Sequence, residues 1–367
     1  MPDAMITLRD VTKQYRGTTD PAVDSLDLQI NEGEIVTLVG PSGCGKTTTL
    51  KMINRIIEPT SGTITVDGVE VTSRPAHELR RSIGYVIQQI GLLPHKTIEQ
   101  NLVTVPRLLG WDGDRMAARA RELMDMMDLD EQLLTRWPSE LSGGQRQRVG
   151  VARALAADPP VLLMDEPFGA VDPIVRRRLQ RQLLDLQAEL GKTIVFVTHD
   201  IDEATLLGDR VAILRVGGTL AQYASPRELL RNPANDFVTD FLGDERMLRR
   251  LSLLTIGDLD LDAGPVVDAS ADAAAARSAA DAYDANWIGV TAQGRLQGWM
   301  WTSTLRDGRR VGDHATTAFR VRTQPSDTLR TALDAIVSSR NNVAVVEDES
   351  GYRGMVFVEQ LSAELMA

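Results

Sequence analysis

The stretch Gly40–Thr48 reads GPSGCGKTT and lies between two different periodicities. Before it runs EIVTLVG (Glu34–Gly40), a β-branched apolar run ended by glycine, which predicts a strand buried on both faces. After it the pattern becomes helical. A strand that stops at a glycine loop and resumes as a helix, with Lys46 and Thr47 at the helix mouth, matches the P-loop pattern G-x-x-x-x-G-K-[ST]. The glycines let the backbone wrap closely around phosphate oxygens. The N–H groups and the helix dipole then face the anion. Gly40, Pro41, Ser42, Gly43, Cys44, Gly45, Lys46, Thr47 and Thr48 are therefore expected to cradle the phosphates of ATP. Lys46 should reach the β- and γ-phosphates and Thr47 should coordinate Mg²⁺.

Further buried strands are expected at PVLLMDEP (Pro160–Pro167), KTIVFVTHD (Lys192–Asp200) and DRVAIL (Asp209–Leu214). A helix is expected at Val175–Leu190, where Leu179, Leu183, Leu186 and Leu190 recur at three- and four-residue spacing. Strand alternating with helix predicts a mostly parallel α/β sheet with helices on its faces, a P-loop NTPase (RecA-like) core. Residues of about 97–158 read as a separate helical subdomain inserted into it. After about Gly243 the character changes. The last lysine is Lys192, and residues 252–367 carry 10 arginines against 16 acids. Two segments there look alike, one from Asp272 and one from Asp327. Each reads as helix, short strand, glycine turn, short strand, with a period of about 55 residues. The expected organisation is a P-loop domain over 1–243, followed by two small α+β modules over 252–310 and 311–367.

Two acids emerge at the carboxyl end of VLLMDEP, where ligands of parallel sheets bind. Asp165 is expected to hold Mg²⁺, directly or through water, and Glu166 to polarise the attacking water. One carboxylate on the metal and one beside the nucleophile suits in-line phosphoryl transfer. His199 ends its strand at the same sheet edge as Lys46 and Asp165, so contact with the γ-phosphate is expected. A glutamine in YVIQQIGLLPH can act as a neutral ligand to Mg²⁺ and the attacking water; pattern alone leaves Gln88 and Gln89 both open. LSGGQRQR (Leu141–Arg148) offers a second glycine pair opening a helix, without a lysine of its own.

Formal net charge is −11 and the isoelectric point about 5.0, so no basic field recommends a nucleic-acid partner. The single cysteine, Cys44, excludes a disulfide within the chain and suits a reducing compartment. No N-terminal stretch reads as a signal peptide and no run approaches 18 apolar residues, so the chain is not expected to span a membrane itself.

These motifs, in this order, resemble the nucleotide-binding subunit of ABC transporters, over about residues 5–235. LSGGQ (Leu141–Gln145) is that family's signature sequence. The resemblance implies a head-to-tail dimer in which Ser142, Gly143, Gly144 and Gln145 of one copy close over the ATP held by the P-loop of the other. The second glycine pair needs no lysine because the opposite P-loop supplies one. It also implies that Tyr15 in VTKQYRG stacks on adenine and that Gln88 is the Q-loop glutamine. Asp172 in GAVD belongs to the D-loop, although the family more often has leucine where Val171 stands. His199 is the switch histidine. Catalytic roles fall to Glu166, His199 and Gln88, and metal contacts to Thr47, Gln88 and Asp165. The family places such a chain peripherally, on the cytoplasmic face of the bacterial inner (plasma) membrane. There it works with integral membrane permease subunits and, indirectly, an extracytoplasmic substrate-binding protein.

A narrower resemblance rests on KMINRIIEPTSGTITVDG, IGYVIQQIGLLPH, THDIDEA and NPANDFVTDFLG. These segments look like the ATPases of bacterial importers for quaternary-ammonium osmoprotectants such as glycine betaine, carnitine and choline. The paired C-terminal modules look like a tandem of CBS domains. That likeness implies ionic-strength sensing, a cyclic di-AMP or other adenine-nucleotide ligand, or a ligand-free tail that steadies the dimer. Thr304 and Gln360 stand where an aspartate would grip a ribose, a departure from the pattern. RDGRR (Arg306–Arg310) could form a local cationic patch. Two rival readings are an importer ATPase for another solute and a soluble ABC ATPase acting on nucleic acid or ribosomes. The acidic charge, the single P-loop and the lack of long basic insertions count against the latter.

Overall fold

The computed structural model describes residues 4–88, 91–169 and 171–366, and it divides into two compact units, Met1–Gly243 and Asp244–Ala367. Gln89 lies outside the described residues. The first unit opens with two antiparallel strands, β1 (Ala4–Lys13) and β2 (Val23–Asn31), and turns into β3 (Ile35–Val39), all five residues of which are buried. The glycine loop follows and feeds α1 (Lys46–Ile53). β4 (Ser61–Val66) and β5 (Val69–Glu70) then join the first two strands in a sheet ordered β2-β1-β4-β5. This antiparallel sheet was not expected from the sequence. Its signal is the alternation in VDSLDLQI, where Val23, Leu26, Leu28 and Ile30 are buried and Asp24, Asp27 and Gln29 are exposed.

α2 (Ala76–Arg81) and β6 (Ile83–Val86) lead into the helical insert: α3 (Ile98–Leu102), α4 (Thr104–Leu108), α5 (Gly113–Met126) and α6 (Gly143–Leu155). Three of these helices start on side-chain caps, Thr97, Asp112 and Ser142. Each cap satisfies backbone N–H groups that have no partner within the helix. The second sheet is completed by β7 (Val161–Asp165), α7 (Pro173–Leu190), β8 (Thr193–Val197), α8 (Ile201–Leu207), β9 (Arg210–Leu214) and β10 (Leu220–Ala224). Its order is β10-β9-β3-β8-β7-β6. All neighbours are parallel except β9 and β10. α9 (Pro226–Arg231) and α10 (Asp236–Leu242) close the unit.

The continuous apolar runs of β3, β7 and β8 follow from burial on both faces of this sheet. One face packs with α1 and the antiparallel sheet around Leu50, Met52, Ile53, Ile6 and Leu28. The other packs with the insert and α7 around Leu123, Val149, Leu155, Leu179 and Phe196. Fully burying each such side chain contributes about 1.5–3 kcal/mol.

The second unit begins with α11 (Arg246–Leu253) and then runs twice through strand, helix, strand, strand. The first pass is β11 (Val266–Asp268), α12 (Ala273–Asp281), β12 (Trp287–Ala292) and β13 (Arg295–Trp301). The second is β14 (Arg322–Thr323), α13 (Leu329–Ser338), β15 (Val343–Asp348) and β16 (Gly351–Phe357), ended by α14 (Val358–Met366). In each pass the first two strands are parallel and the last two form a hairpin, with Trp287 opposite Trp301 and Val343 opposite Phe357. Among the described residues, no helix is long and apolar enough to cross a membrane.

Candidate nucleotide site

The carboxyl ends of β3, β6, β7 and β8 meet at one sheet edge, and each delivers part of the site. The loop after β3 is forced into its shape by two close approaches. A Cβ on Gly40 would stand 2.3 Å from the Leu214 carbonyl oxygen, and one on Gly45 would stand 2.4 Å from that of Ala22. Gly45 also has φ +88°, and it immediately precedes α1. The loop's backbone therefore opens the helix directly, with Ser42 and Gly43 exposed and Cys44 buried beneath them. Lys46 is buried. Its Nζ donates to the carbonyls of Gly40 (2.7 Å) and Pro41 (3.1 Å) and lies 3.6 Å from Cys44 Sγ. The ammonium is thus held inside the cradle.

Thr47 Oγ1 donates to Asp165 Oδ1 at 2.9 Å, which joins the start of α1 to the end of β7. Burial raises the Asp165 pKa above the ordinary carboxylate value, and the neighbouring Glu166 charge adds to it. Both donors are oxygens, the kind that suit a hard cation completing its shell with water and phosphate. The pair therefore fits Mg²⁺. Among the described residues, no group of three or more His, Cys, Asp or Glu side chains could hold a metal by itself.

Glu166 follows in a left-handed conformation, φ 45°, a strained setting for a residue with a Cβ. Its N–H donates to the Val197 carbonyl of β8, which pins the turn. Its carboxylate is held from both sides. Gln88 Nε2, just past β6, donates to Oε2 at 3.1 Å, and His199 Nδ1, just past β8, lies 3.2 Å from Oε1. The Glu166 side chain is 20% exposed and that of His199 is 63% exposed, so the carboxylate is sheltered while the imidazole faces outward. Gln88, Glu166 and His199 come from three strands and meet at one carboxylate.

The glycine pair forms a second cluster. Ser142 caps α6: its Oγ accepts from Gln145 N–H at 3.3 Å, while Gln145 Oε1 accepts from Ser142 N–H at 2.8 Å. Gly143 and Gly144 form the first turn. Asp172 caps α7, accepting from the N–H groups of Ile174 and Val175 at 3.1 Å each. Ser142–Gln145 and Asp172 line one cleft of about 410 Å³ with Arg148 and Arg178, and no P-loop residue lines it. The glycine-pair cluster and the P-loop are therefore separate within one chain. Tyr15, between β1 and β2, is 41% exposed, with Lys13 Nζ 5.4 Å from its ring centroid.

Two residues of this neighbourhood were not singled out from the sequence. Asp200 directly follows His199 and caps α8, accepting from Asp202 N–H (2.8 Å) and Glu203 N–H (3.3 Å). The cap pattern DIDE was its available signal. Asn101 is fully buried. Its side chain donates to the carbonyls of Leu93, Lys96 and Thr97 and accepts from Leu93 N–H, pinning the segment that follows the Gln88 loop. In the second unit, Thr304 Oγ1 donates to the Trp301 carbonyl, and Gln360 bridges Phe357 N–H and the Asp260 carbonyl. Both side chains are committed to backbone.

An ABC transporter family model matches residues 23–169. The osmoprotectant import ATP-binding protein OsmV of Salmonella typhimurium is 49% identical over 96% of this chain and 94% of its own length. The glycine betaine/carnitine/choline transport ATP-binding protein OpuCA of Bacillus subtilis is 56% identical over 67% of this chain and 64% of its own length. Among solved structures, a dimeric ATP-binding cassette in a post-hydrolysis state, bound to ADP and Pi, aligns with 60% of this chain and 99% of its own. It does so at 37% identity and a TM-score of 0.55. The P-loop fold, the signature helix and a relative matched along nearly its whole length agree: this chain belongs to the ABC transporter family, as one of its ATP-binding proteins.

Proposed function

We propose that this chain is the ATP-hydrolysing subunit of a membrane importer for quaternary-ammonium osmoprotectants such as glycine betaine, carnitine or choline. The observation that carries the solute assignment is the 49% identity to an osmoprotectant import ATP-binding protein over 96% of the chain. The motor itself does not touch solute, so its own geometry speaks to the hydrolysis.

The P-loop backbone and Lys46 bind the phosphates, and Tyr15 supplies an exposed ring for adenine. Thr47, Asp165 and Gln88 would hold Mg²⁺, which when bound neutralises phosphate charge. Glu166 accepts the proton of the attacking water. Its strained backbone and its two side-chain partners fix it in place, which is the positioning that in-line transfer demands. His199 stands beside it, exposed toward the γ-phosphate. Ser142, Gly143, Gly144 and Gln145, with Asp172, complete the site of a second copy. The separation of the two half-sites within one chain supports that head-to-tail pairing. Binding of ATP closes the dimer, and hydrolysis reopens it.

The motion passes to integral permease subunits, docked around residues 88–95 and the helical insert, and an extracytoplasmic binding protein delivers the solute to them. The chain sits peripherally at the cytoplasmic face of the membrane. The second unit is a tandem CBS pair that regulates transport. Its two like halves support that reading. The commitment of Thr304 and Gln360 to backbone counts against an adenine-nucleotide grip through those positions, and ionic-strength sensing remains the alternative input.

The test is uptake of labelled glycine betaine, in cells lacking the chain and in cells with it restored, across a series of medium osmolarities. Chain-dependent uptake that rises with osmolarity upholds the reading, and deletion of residues 252–367 then shows whether the tail sets the threshold. Uptake indifferent to the chain overturns the solute assignment.

A further inference from the structure

α7 and α8 each begin on an aspartate cap, Asp172 and Asp200, and each cap adjoins a loop of the site. Polar side chains join the two helices beneath those caps. Arg176 Nη1 lies 3.9 Å from Asp200 Oδ2, and Nη2 of the same guanidinium donates to the Val171 carbonyl at 3.3 Å. One turn further along, Gln180 Nε2 donates to Glu203 Oε1 at 3.0 Å. This second pair is enclosed: Gln180 is 4% exposed and Glu203 7%. Leu179 and Leu183 of the same helix pack into the apolar core.

A buried carboxylate paired with an amide is an expensive way to hold two helices together. Enclosing such groups costs free energy that their mutual bond barely returns, and apolar side chains of similar volume hold helices at least as well. What the polar pair adds is register, because only one relative placement of the helices satisfies it. Arg176 and Asp200 are more open, with side chains 30% and 37% exposed, and their link is an ion pair at 3.9 Å. A guanidinium fork reaches two partners in one plane, which an ammonium cannot do. Here one partner is in the loop before Asp172 and the other directly follows His199. Among the described residues Arg176 Nε is buried without a hydrogen-bond partner, and the partners of its terminal nitrogens lie in these two loops.

We propose that Arg176 and Gln180 are positioning residues that lock the Asp172 loop to the His199 loop, so that engagement of Asp172 by a second copy bears on the imidazole that already stands against Glu166. This rests on the reading of Asp172 and His199 given under the proposed function. It goes beyond that reading in naming the coupling between them.

The test is steady-state ATPase kinetics of the full chain with Mg-ATP, together with thermal unfolding. Arg176→Ala and Asp200→Asn are each expected to lower kcat about tenfold with KM within about twofold. Asp200→Asn keeps an oxygen for the α8 cap. The double variant should be no slower than the slower single one, because the two residues form one contact. Arg176→Lys should fall between wild type and Arg176→Ala, and it decides the matter if Arg176→Ala fails to fold. The paired change Gln180→Leu with Glu203→Leu should leave the melting temperature equal or higher while kcat falls, a split that a purely structural role does not produce. Wild-type kcat in the paired variant, or multiplied losses in the Arg176–Asp200 cycle, overturns the proposal. Glu166→Gln and His199→Ala, run alongside, report on the underlying site: near wild-type hydrolysis in either means that the site reading has failed, whatever Arg176 does.

Discussion

His199 Nδ1 and a carboxylate oxygen of Glu166 lie 3.2 Å apart, although the two residues leave the sheet from different strands. The contact exists because β7 and β8 are parallel neighbours, with Asp165 in register with Val197. Residues just past those positions are therefore delivered side by side. Gln88, from β6 on the far side of β7, reaches the other carboxylate oxygen. A carboxylate gripped on both oxygens and set on a strained backbone is poised for one task. Glu166→Gln removes the proposed base and keeps the shape. It should lower kcat by about 10²–10⁴-fold, the range expected for loss of a general base. Binding of ATP should persist, and gel filtration with ATP should show a stable dimer. Hydrolysis near the wild-type rate would mean that another group accepts the proton.

Asp165 carries a stability cost at the position proposed to hold Mg²⁺. Burial, and then the Glu166 charge, raise its pKa in the folded chain. A raised carboxyl pKa means that the folded state favours the protonated form, so its contribution is present at acid pH and is lost as pH rises through the folded value. At neutral pH the ionised group therefore destabilises the nucleotide-free chain. Asp165→Asn keeps an oxygen to accept from Thr47 and removes the charge. Without nucleotide and Mg²⁺, the variant should melt above wild type at pH 7, by about 2–4 °C for each kcal/mol relieved. The difference should vanish by pH 3, and hydrolysis should be lost. A variant that melts below wild type at pH 7 would show that the carboxylate is stabilising as it stands.

Gly43 and Gly45 separate conformation from crowding. Both have positive φ, +79° and +88°, but a Cβ on Gly43 meets nothing within 4 Å while one on Gly45 meets the Ala22 carbonyl oxygen at 2.4 Å. Gly43→Ala should cost only the left-handed penalty of about 1–2 kcal/mol. Gly45→Ala adds a clash with the Ala22 backbone that can be relieved only by moving the glycine loop and the Ala22 segment apart. Its melting temperature without nucleotide should fall well below that of Gly43→Ala, and its binding of a fluorescent ATP analogue should be lost. Equal behaviour of the two variants would remove close approach as the reason for glycine at position 45.

The parallel sheet was legible in the sequence because burial on both faces writes a continuous apolar run, as in EIVTLV, VLLM and TIVFV. The ends of those runs then locate Asp165, Glu166 and His199 without further information. The antiparallel sheet was passed over because its strands are only half buried, and the alternation in VDSLDLQI is broken at Ser25, a bulge-like register shift with φ 46°. The choice of Gln88 came from family resemblance rather than pattern, since two adjacent glutamines share one periodicity. The locking contacts of Arg176 and Gln180 were not legible at all. On a helical wheel they read as the polar margin of an amphipathic helix, and only the placement of α8 makes them partners.

Ser142 does two jobs that a pair of substitutions can part. Within the chain it caps α6 in a reciprocal bond with Gln145, worth about 1 kcal/mol by comparison with other caps. In the proposed head-to-tail dimer its hydroxyl would face the partner's γ-phosphate. Ser142→Asp retains a good cap, so the chain's melting temperature should stay close to wild type, but it sets a carboxylate against the phosphate charge. Ser142→Ala gives up the cap while adding no charge. In a Glu166→Gln background, where ATP is expected to hold the dimer, Ser142→Asp should abolish dimerisation on gel filtration, whereas Ser142→Ala should only weaken it, although it is the less stable of the two. If dimerisation followed stability instead, with Ser142→Asp the better dimer, the hydroxyl would be serving its own helix and not the nucleotide of the second copy.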